Sequence, residues 1–292
     1  MLKYKAAQSR LMTSTGIITF FLIVANFAFS SKGFQNHAFF DRYKFEIDPI
    51  LAGKDYKRII TSGFLHVSWM HLIFNMISLL FFSGVVELYL GGLQFLVVYF
   101  ASMIGGGLLS LFVHRNHSEY SAVGASGAVC GVIFAAIALF PGLEISFFFL
   151  PIPIKGWIFG LVYVLYSIYG IRSRRDNIGH DAHLGGALIG MFIALLMRPQ
   201  AIGENYFTIF IIAIPAIAFI VLIIARPHVL LIDNLFYKSH RNYYSVDHKV
   251  NVEKASKQAE IDRILDKIHR NGIKSLSKKE KEALDQYSKR QR

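Results

Sequence analysis

The sequence predicts an all-α, polytopic membrane protein, and three observations carry that prediction. Of the 292 residues, 54% are hydrophobic and 14% aromatic, with a mean hydropathy of +0.43; soluble domains are about 45–50% apolar on a count that also includes glycine. Only 17% are charged, against roughly 25% in a soluble domain. The charges are also unevenly placed, since the 55 residues from Ile59 to Val113 hold Glu87 as their one Asp, Glu, Lys or Arg. Together these exclude a soluble enzyme with one or two cores, a disulfide scaffold and a disordered chain. The single cysteine, Cys130, lies in an apolar run and has no intrachain partner. Sixteen of the 31 Lys and Arg follow Ala225, so the net charge of +12 describes a solvated or lipid-facing tail rather than a nucleic-acid surface.

A hydrocarbon core of about 30 Å takes roughly 20 apolar residues per helix. Six runs meet or approach that length: Thr13–Ser31, Trp69–Leu90, Leu93–Val113, Ser126–Phe140, Trp157–Ile171 and Ala182–Met197. A seventh, Phe207–Ala225, carries Pro215, expected to kink it. The first run lacks a small-x-small exit and is followed by further spans, so it reads as a helix rather than a cleaved signal. Between the first two spans, Phe34, Phe39, Phe40, Tyr43 and Phe45 suit the membrane interface. Phe147–Pro153 is apolar but twice broken by proline, and reads as interfacial or protein-buried backbone. Beyond Arg226 the chain turns polar. Ile261, Ile264, Leu265 and Ile268 recur at helical spacing, Asn271-Gly272 supplies a stop, and Ser277 with Glu280 forms a capping box. The expected division is a segment 1–12, a core 13–199, an additional helix 200–230, and a basic tail 231–292 with a helical hairpin over about 255–290.

Ionisable and strongly polar residues inside spans are costly and usually functional. His71 and Asn75 are four apart, on one face near the start of span two. Ser126 opens span four within Gly124-Ala-Ser-Gly127, and His183 opens span six within Ala182-His-Leu-Gly-Gly186. Spans two, four and six cross in the same direction, so these four residues share one side of the membrane at similar depth. Gly127-xxx-Gly131 and Gly186-xxx-Gly190 are small-xxx-small stripes that allow close helix packing. A meeting of spans four and six brings a hydroxyl to an imidazole, the pairing that activates a serine. Span four, 15 residues or about 22 Å, is short enough to leave room for water above Ser126. Other histidines give no HxxxH or HExxH spacing and no zinc site. His66 is expected to support the loop before span two, and Asp181 to cap span six.

At these residues the chain resembles the rhomboid family of intramembrane serine proteases. The resemblance covers roughly Ile59 to Pro199 and rests on His66-Val-Ser-Trp-Met-His71-Leu-Ile-Phe-Asn75, Gly124-Ala-Ser126-Gly127 and Ala182-His183-Leu-Gly-Gly186, with Glu87 and Gly91 at the end of span two. It implies a six-helix rhomboid-like core, with Ser126 as nucleophile and His183 as general base. It further implies an oxyanion site from His71, Asn75 and the Ser126 N–H, with turn support from Gly124 and Gly127. Single-pass transmembrane proteins are the implied substrates, with the lipid bilayer as setting and neither a metal nor an organic cofactor. The implied location is a bacterial cytoplasmic membrane with a cytosolic N-terminus, although the basic residues run against that orientation, five on the N-terminal side and 26 on the other across seven spans. The chain departs from the family pattern at Cys130, where an aromatic residue often packs on the catalytic histidine, and in its tail, which resembles modules of some bacterial rhomboids. Two rival readings use the same residues. One is an inactive rhomboid-like protein that binds or escorts transmembrane clients, which the retention of both Ser126 and His183 opposes. The other is a small transporter broken at Pro151, Pro153 and Pro215, which the scarcity of acids and bases in spans two to four opposes. The sequence leaves the oligomeric state open.

Overall fold

Each of the seven apolar runs forms a helix close to where its composition places it. In a computed structural model, the residues described are 16–118, 120–147, 150–173 and 178–225, with 264, 267, 277 and 280 in the tail. The helices are α1 (Ile17–Gln35), the short α2 (His37–Tyr43), α3 (Ile47–Leu51) and α4 (Arg58–Thr61), then α5 (Trp69–Leu90), α6 (Gly92–His114), α7 (Ser126–Leu139), α8 (Gly156–Ser173), α9 (His180–Met197), the short α10 (Gln200–Glu204) and α11 (Tyr206–Ala225). Helices α1, α5, α6, α9 and α11 are long and apolar enough to cross a membrane. Helix α8 has 18 residues, among them Trp157, three tyrosines and Arg172. The protein is an all-α, multi-pass membrane protein.

Local chemistry sets the helix ends. The Ser68 hydroxyl accepts from the His71 N–H and starts α5. Gly91, at φ 96°, lets the chain reverse directly into α6, a conformation a Cβ would penalise. Glu87 accounts for its place in a membrane span. Its buried carboxylate accepts from the N–H groups of Ile18 and Thr19, each at 3.0 Å, and from the Thr19 hydroxyl at 2.7 Å. The one charge in that 55-residue stretch thus sits on the N-terminus of α1, satisfying its open donors and facing the positive end of its dipole.

Helix α7 lies at the centre. Gly127 through Leu139 are all buried, and 14 residues span about 21 Å, less than a hydrocarbon core. Its glycine stripe meets that of α9. A Cβ on Gly186 would overlap the Gly127 carbonyl, one on Gly190 would overlap the Gly131 backbone, and one on Gly131 would lie 2.8 Å from the Gly186 carbonyl. The seventh helix is fixed to this core. Buried Asn205 donates to the carbonyls of Ile137 (2.8 Å) and Ala138 (3.1 Å), open acceptors at the end of α7. Gly160 of α8 gives room for Ile212 of α11, and Pro215 lies inside that helix.

The segment between α1 and α5 is ordered by more than interfacial aromatics. Phe45 is buried with Ile47, Ile50 and Ile59 in a small cluster of its own, while Phe34 packs on Trp69 and Phe39 on Tyr43. Strand β1 (Phe45–Glu46) pairs antiparallel with β2 (Ser121–Ala122), tying this segment to the loop that leads into Ser126. Arg58 holds it together by donating to the carbonyls of Asp41 and Lys44 and to the Asp55 carboxylate. The proline-broken run after α7 becomes a hairpin of β3 (Glu144–Phe147) and β4 (Leu150–Lys155), which satisfies backbone groups that a helix through Pro151 and Pro153 could not.

The chain divides into two compact units, Met1–Leu230 and Leu231–Arg292. In the second, the capping box read from the sequence is present. The Ser277 N–H donates to the Glu280 carboxylate at 2.7 Å, and the Glu280 N–H donates to the Ser277 hydroxyl at 3.3 Å. Lys267 pairs with the same carboxylate at 2.9 Å. That hydrogen bond and those from Ser277 hold the Glu280 carboxyl down to about 2. The rest of the hairpin, the segment 1–12, and Arg174 and Arg175 lie outside the described residues.

Candidate active site

The approach of α7 and α9 sets the distance between two side chains far apart in sequence. Ser126 is the first residue of α7, and His183 lies in the first turn of α9, one turn before Gly186. The Ser126 Oγ is 2.6 Å from the His183 Nε2. Both residues are half-buried, so the pair is reachable yet shielded.

The loop before Ser126 is held from two directions. The Gly124 N–H donates to the Ser62 carbonyl at 3.0 Å. The Ala125 N–H points to the His66 Nε2 at 3.4 Å, while the His66 Nδ1 meets the Ser30 hydroxyl at 2.9 Å. His66 therefore links the end of α1, the approach to α5 and the approach to α7. It supports the serine loop as well as the loop expected from sequence. Burial pushes its pKa down to about 3, with the neighbouring His71 adding to the effect, so the ring bridges these elements uncharged.

Gly124 has φ 134°, in the region that favours glycine. A Cβ there would lie 2.8 Å from the His71 ring and 3.7 Å from the Ser126 Oγ. The absent side chain is what brings the His71 imidazole and the serine to the same point. One turn on, the Asn75 amide donates to the His71 carbonyl at 2.9 Å, leaving one amide hydrogen for another acceptor. The structure thus gathers Gly124, Ser126, Gly127, His183 and His71 around one locus, with Asn75 on the same face of α5.

Two features differ from the sequence expectations. Asp181 does not cap α9; it is buried and faces His114 of α6, with 3.3 Å between the carboxylate and the Nε2. Helix α6 ends beside the start of α9, which puts the His114 imidazole within reach of the carboxylate. The aromatic side chain that meets the His183 imidazole comes from another helix and not from position 130. Tyr163 of α8 meets the His183 ring through its hydroxyl, which is 2.9 Å from the His183 Nδ1, with the ring centroids 6.3 Å apart and the planes at 24°. Its hydroxyl is also 2.9 Å from the Cys130 Sγ. Sequence reasoning missed Tyr163 because it is one of three tyrosines in an amphiphilic span; the small residue at 130 was the signal that an aromatic had to come from another helix. Among the described residues, no three His, Cys, Asp or Glu side chains converge as a metal site would require.

Comparison with known proteins fits this geometry. A model of the Rhomboid domain matches residues 53–200, which is half of the chain and holds every residue of the cluster except Ser30. The chain belongs to the rhomboid family. A second model, a family of unknown function (DUF6576), matches residues 244–290 of the tail. Among relatives of this rhomboid, Rhomboid protein 1, mitochondrial, of Saccharomyces cerevisiae is 34% identical over 149 residues, 49% of this chain and 43% of the relative. Rhomboid protease GluP of Bacillus subtilis is 27% identical over 207 residues, 70% of this chain and 38% of the relative. Presenilin-associated rhomboid-like protein, mitochondrial, of Mus musculus is 30% identical over 140 residues, 46% and 36% of the two chains. The chain spans less than half the length of each. Two of the three carry mitochondrial in their names and the third is from a bacterium, so the comparisons do not support the specifically bacterial cytoplasmic membrane that the resemblance implied.

Proposed function

We propose that this rhomboid is an intramembrane serine endopeptidase that hydrolyses peptide bonds in or near transmembrane segments of other membrane proteins. The observation that carries the reading is the 2.6 Å contact between the Ser126 Oγ and the His183 Nε2. A hydroxyl that close to an unprotonated imidazole nitrogen can pass its proton as it attacks a carbonyl. The Ser126 Oγ then bonds to the carbonyl carbon, and the oxygen becomes an oxyanion beside the His71 imidazole, the Asn75 amide and the Ser126 N–H. Collapse expels the amine, which takes the proton from His183. A water molecule, deprotonated by the same imidazole, hydrolyses the acyl-enzyme and restores Ser126. None of these steps calls on a metal or an organic cofactor.

The substrate class follows from geometry. A helical peptide hides its carbonyls in hydrogen bonds, so the scissile segment must unwind locally, and residues of low helix propensity near that bond favour cleavage. The membrane position of the chain and the half-burial of Ser126 suit a single-pass substrate approaching from the lipid.

Purified full-length protein incubated with a panel of model single-pass transmembrane substrates tests the reading. Wild type yields discrete products, while Ser126→Ala and His183→Ala yield none. Identical products from all three would end it.

A further inference from the structure

The groups beyond the His183 Nδ1 carry an inference that rests on the serine protease reading and deepens it. An imidazole that takes a serine proton at Nε2 must keep its own proton at Nδ1, so the group facing Nδ1 must accept a hydrogen bond. An ionised carboxylate can only accept, and therefore sets this tautomer unaided. Here the facing group is the Tyr163 hydroxyl at 2.9 Å, and a hydroxyl both donates and accepts. Were it to donate to Nδ1, the proton would reside on Nε2, and the imidazole could no longer take the proton of Ser126.

A second group that can donate or accept lies one atom further along. The Tyr163 Oη lies 2.9 Å from the Sγ of Cys130, which is buried one turn below Ser126 on the same helix. The Tyr163 ring is held by Phe134 and Phe159, so its hydroxyl has few orientations. We propose that the Cys130 sulfur accepts the Tyr163 hydroxyl hydrogen, which turns an oxygen lone pair toward the His183 N–H and fixes the tautomer that Ser126 requires. The order is Ser126 O–H to Nε2, Nδ1–H to Tyr163 Oη, and Tyr163 O–H to Cys130 Sγ. Tyr163 and Cys130 are positioning residues, acting on Ser126 through the His183 ring. Cys130 is then not a gap in the site but the acceptor that makes a tyrosine serve where a carboxylate is lacking.

The test uses the full-length protein with ring-15N histidine, with the His183 signal identified by its loss in His183→Gln. Nitrogen shifts report the tautomer, and reaction with a fluorophosphonate, together with cleavage of a model transmembrane substrate, reports function. Wild type shows the Nδ1–H form. Tyr163→Phe and Cys130→Ala each lower kcat by about 10–100-fold, a part of the 10²–10⁴ that general-base catalysis supplies, and leave KM unchanged. Cys130→Ser retains an acceptor and nearly wild-type turnover. The Tyr163→Phe, Cys130→Ala double variant is no slower than Tyr163→Phe alone, because the sulfur acts only through the hydroxyl. An Nε2–H form in wild type, or losses that multiply in the double variant, overturns the proposal. Failure of wild type to react or cleave, with the Nδ1–H form present and lost in Cys130→Ala, refutes the protease reading alone.

Discussion

Gly186→Ala separates stability from the reactivity of Ser126. A Cβ at position 186 overlaps the Gly127 carbonyl, and ordinary contact lies at about 3.5 Å between heavy atoms. Helices α7 and α9 must therefore part by on the order of 1 Å at this level, since neither backbone can rotate away as a flexible side chain would. Overpacking of this kind costs about 1–3 kcal/mol, while alanine regains about 1 kcal/mol of helix propensity over glycine. The net loss of about 0–2 kcal/mol leaves the protein folded. Position 186 is one turn from His183, and Gly127 adjoins Ser126, so the same displacement carries the 2.6 Å contact beyond hydrogen-bond reach. A misplacement of about 1 Å costs on the order of 10²-fold in rate. The assay pairs thermal unfolding in detergent with the rate at which a fluorophosphonate modifies Ser126. A folded Gly186→Ala protein that reacts as fast as wild type would refute the claim that the glycine stripes set the serine–histidine distance.

Other consequences follow from single contacts. Asn75→Ala removes one candidate oxyanion donor and should raise the barrier by about 2.7–4 kcal/mol, read as lower kcat with unchanged melting; unchanged turnover takes Asn75 out of the mechanism. Asn205→Leu leaves the Ile137 and Ala138 carbonyls without their donor, at about 1–3 kcal/mol for each buried acceptor. Melting should fall while Ser126 reactivity in the remaining folded protein persists. His66 links pH to stability. The unfolded chain protonates it below about 6.5, whereas burial holds the folded ring neutral to about 3. Its contribution is complete above pH 6.5 and declines by about 1.4 kcal/mol per pH unit as pH falls toward 3. Melting of wild type should therefore drop from pH 7 to pH 5 more steeply than that of His66→Gln, and equal slopes would contradict the neutral bridging role.

What could be read from the sequence follows the physics that produced it. Bilayer thickness fixes span length, so Trp69–Leu90 and the start of α7 at Ser126 were legible to the residue. Crossing parity, joined to two glycine stripes, was enough to expect Ser126 against His183. Relations between distant helices were less visible. Asp181 read as a cap because its partner, His114, lies at the end of another span. Asn205 has no local pattern to announce that it closes the end of α7. Tyr163 shows only that its span is aromatic, and its contact with His183 exists only because α8 packs beside both α7 and α9. The Phe147–Pro153 run illustrates a partial reading: proline excluded a helix, but the β3–β4 pairing depends on which backbone groups face each other.

The most direct measurement of the central claim is mass-spectrometric mapping of the adduct formed when a fluorophosphonate is added to the full-length protein in lipid. Phosphonylation confined to Ser126, and abolished by His183→Ala in a protein that melts as wild type does, is the predicted result. Modification at another residue, or equal modification of Ser126 without the imidazole, would contradict it.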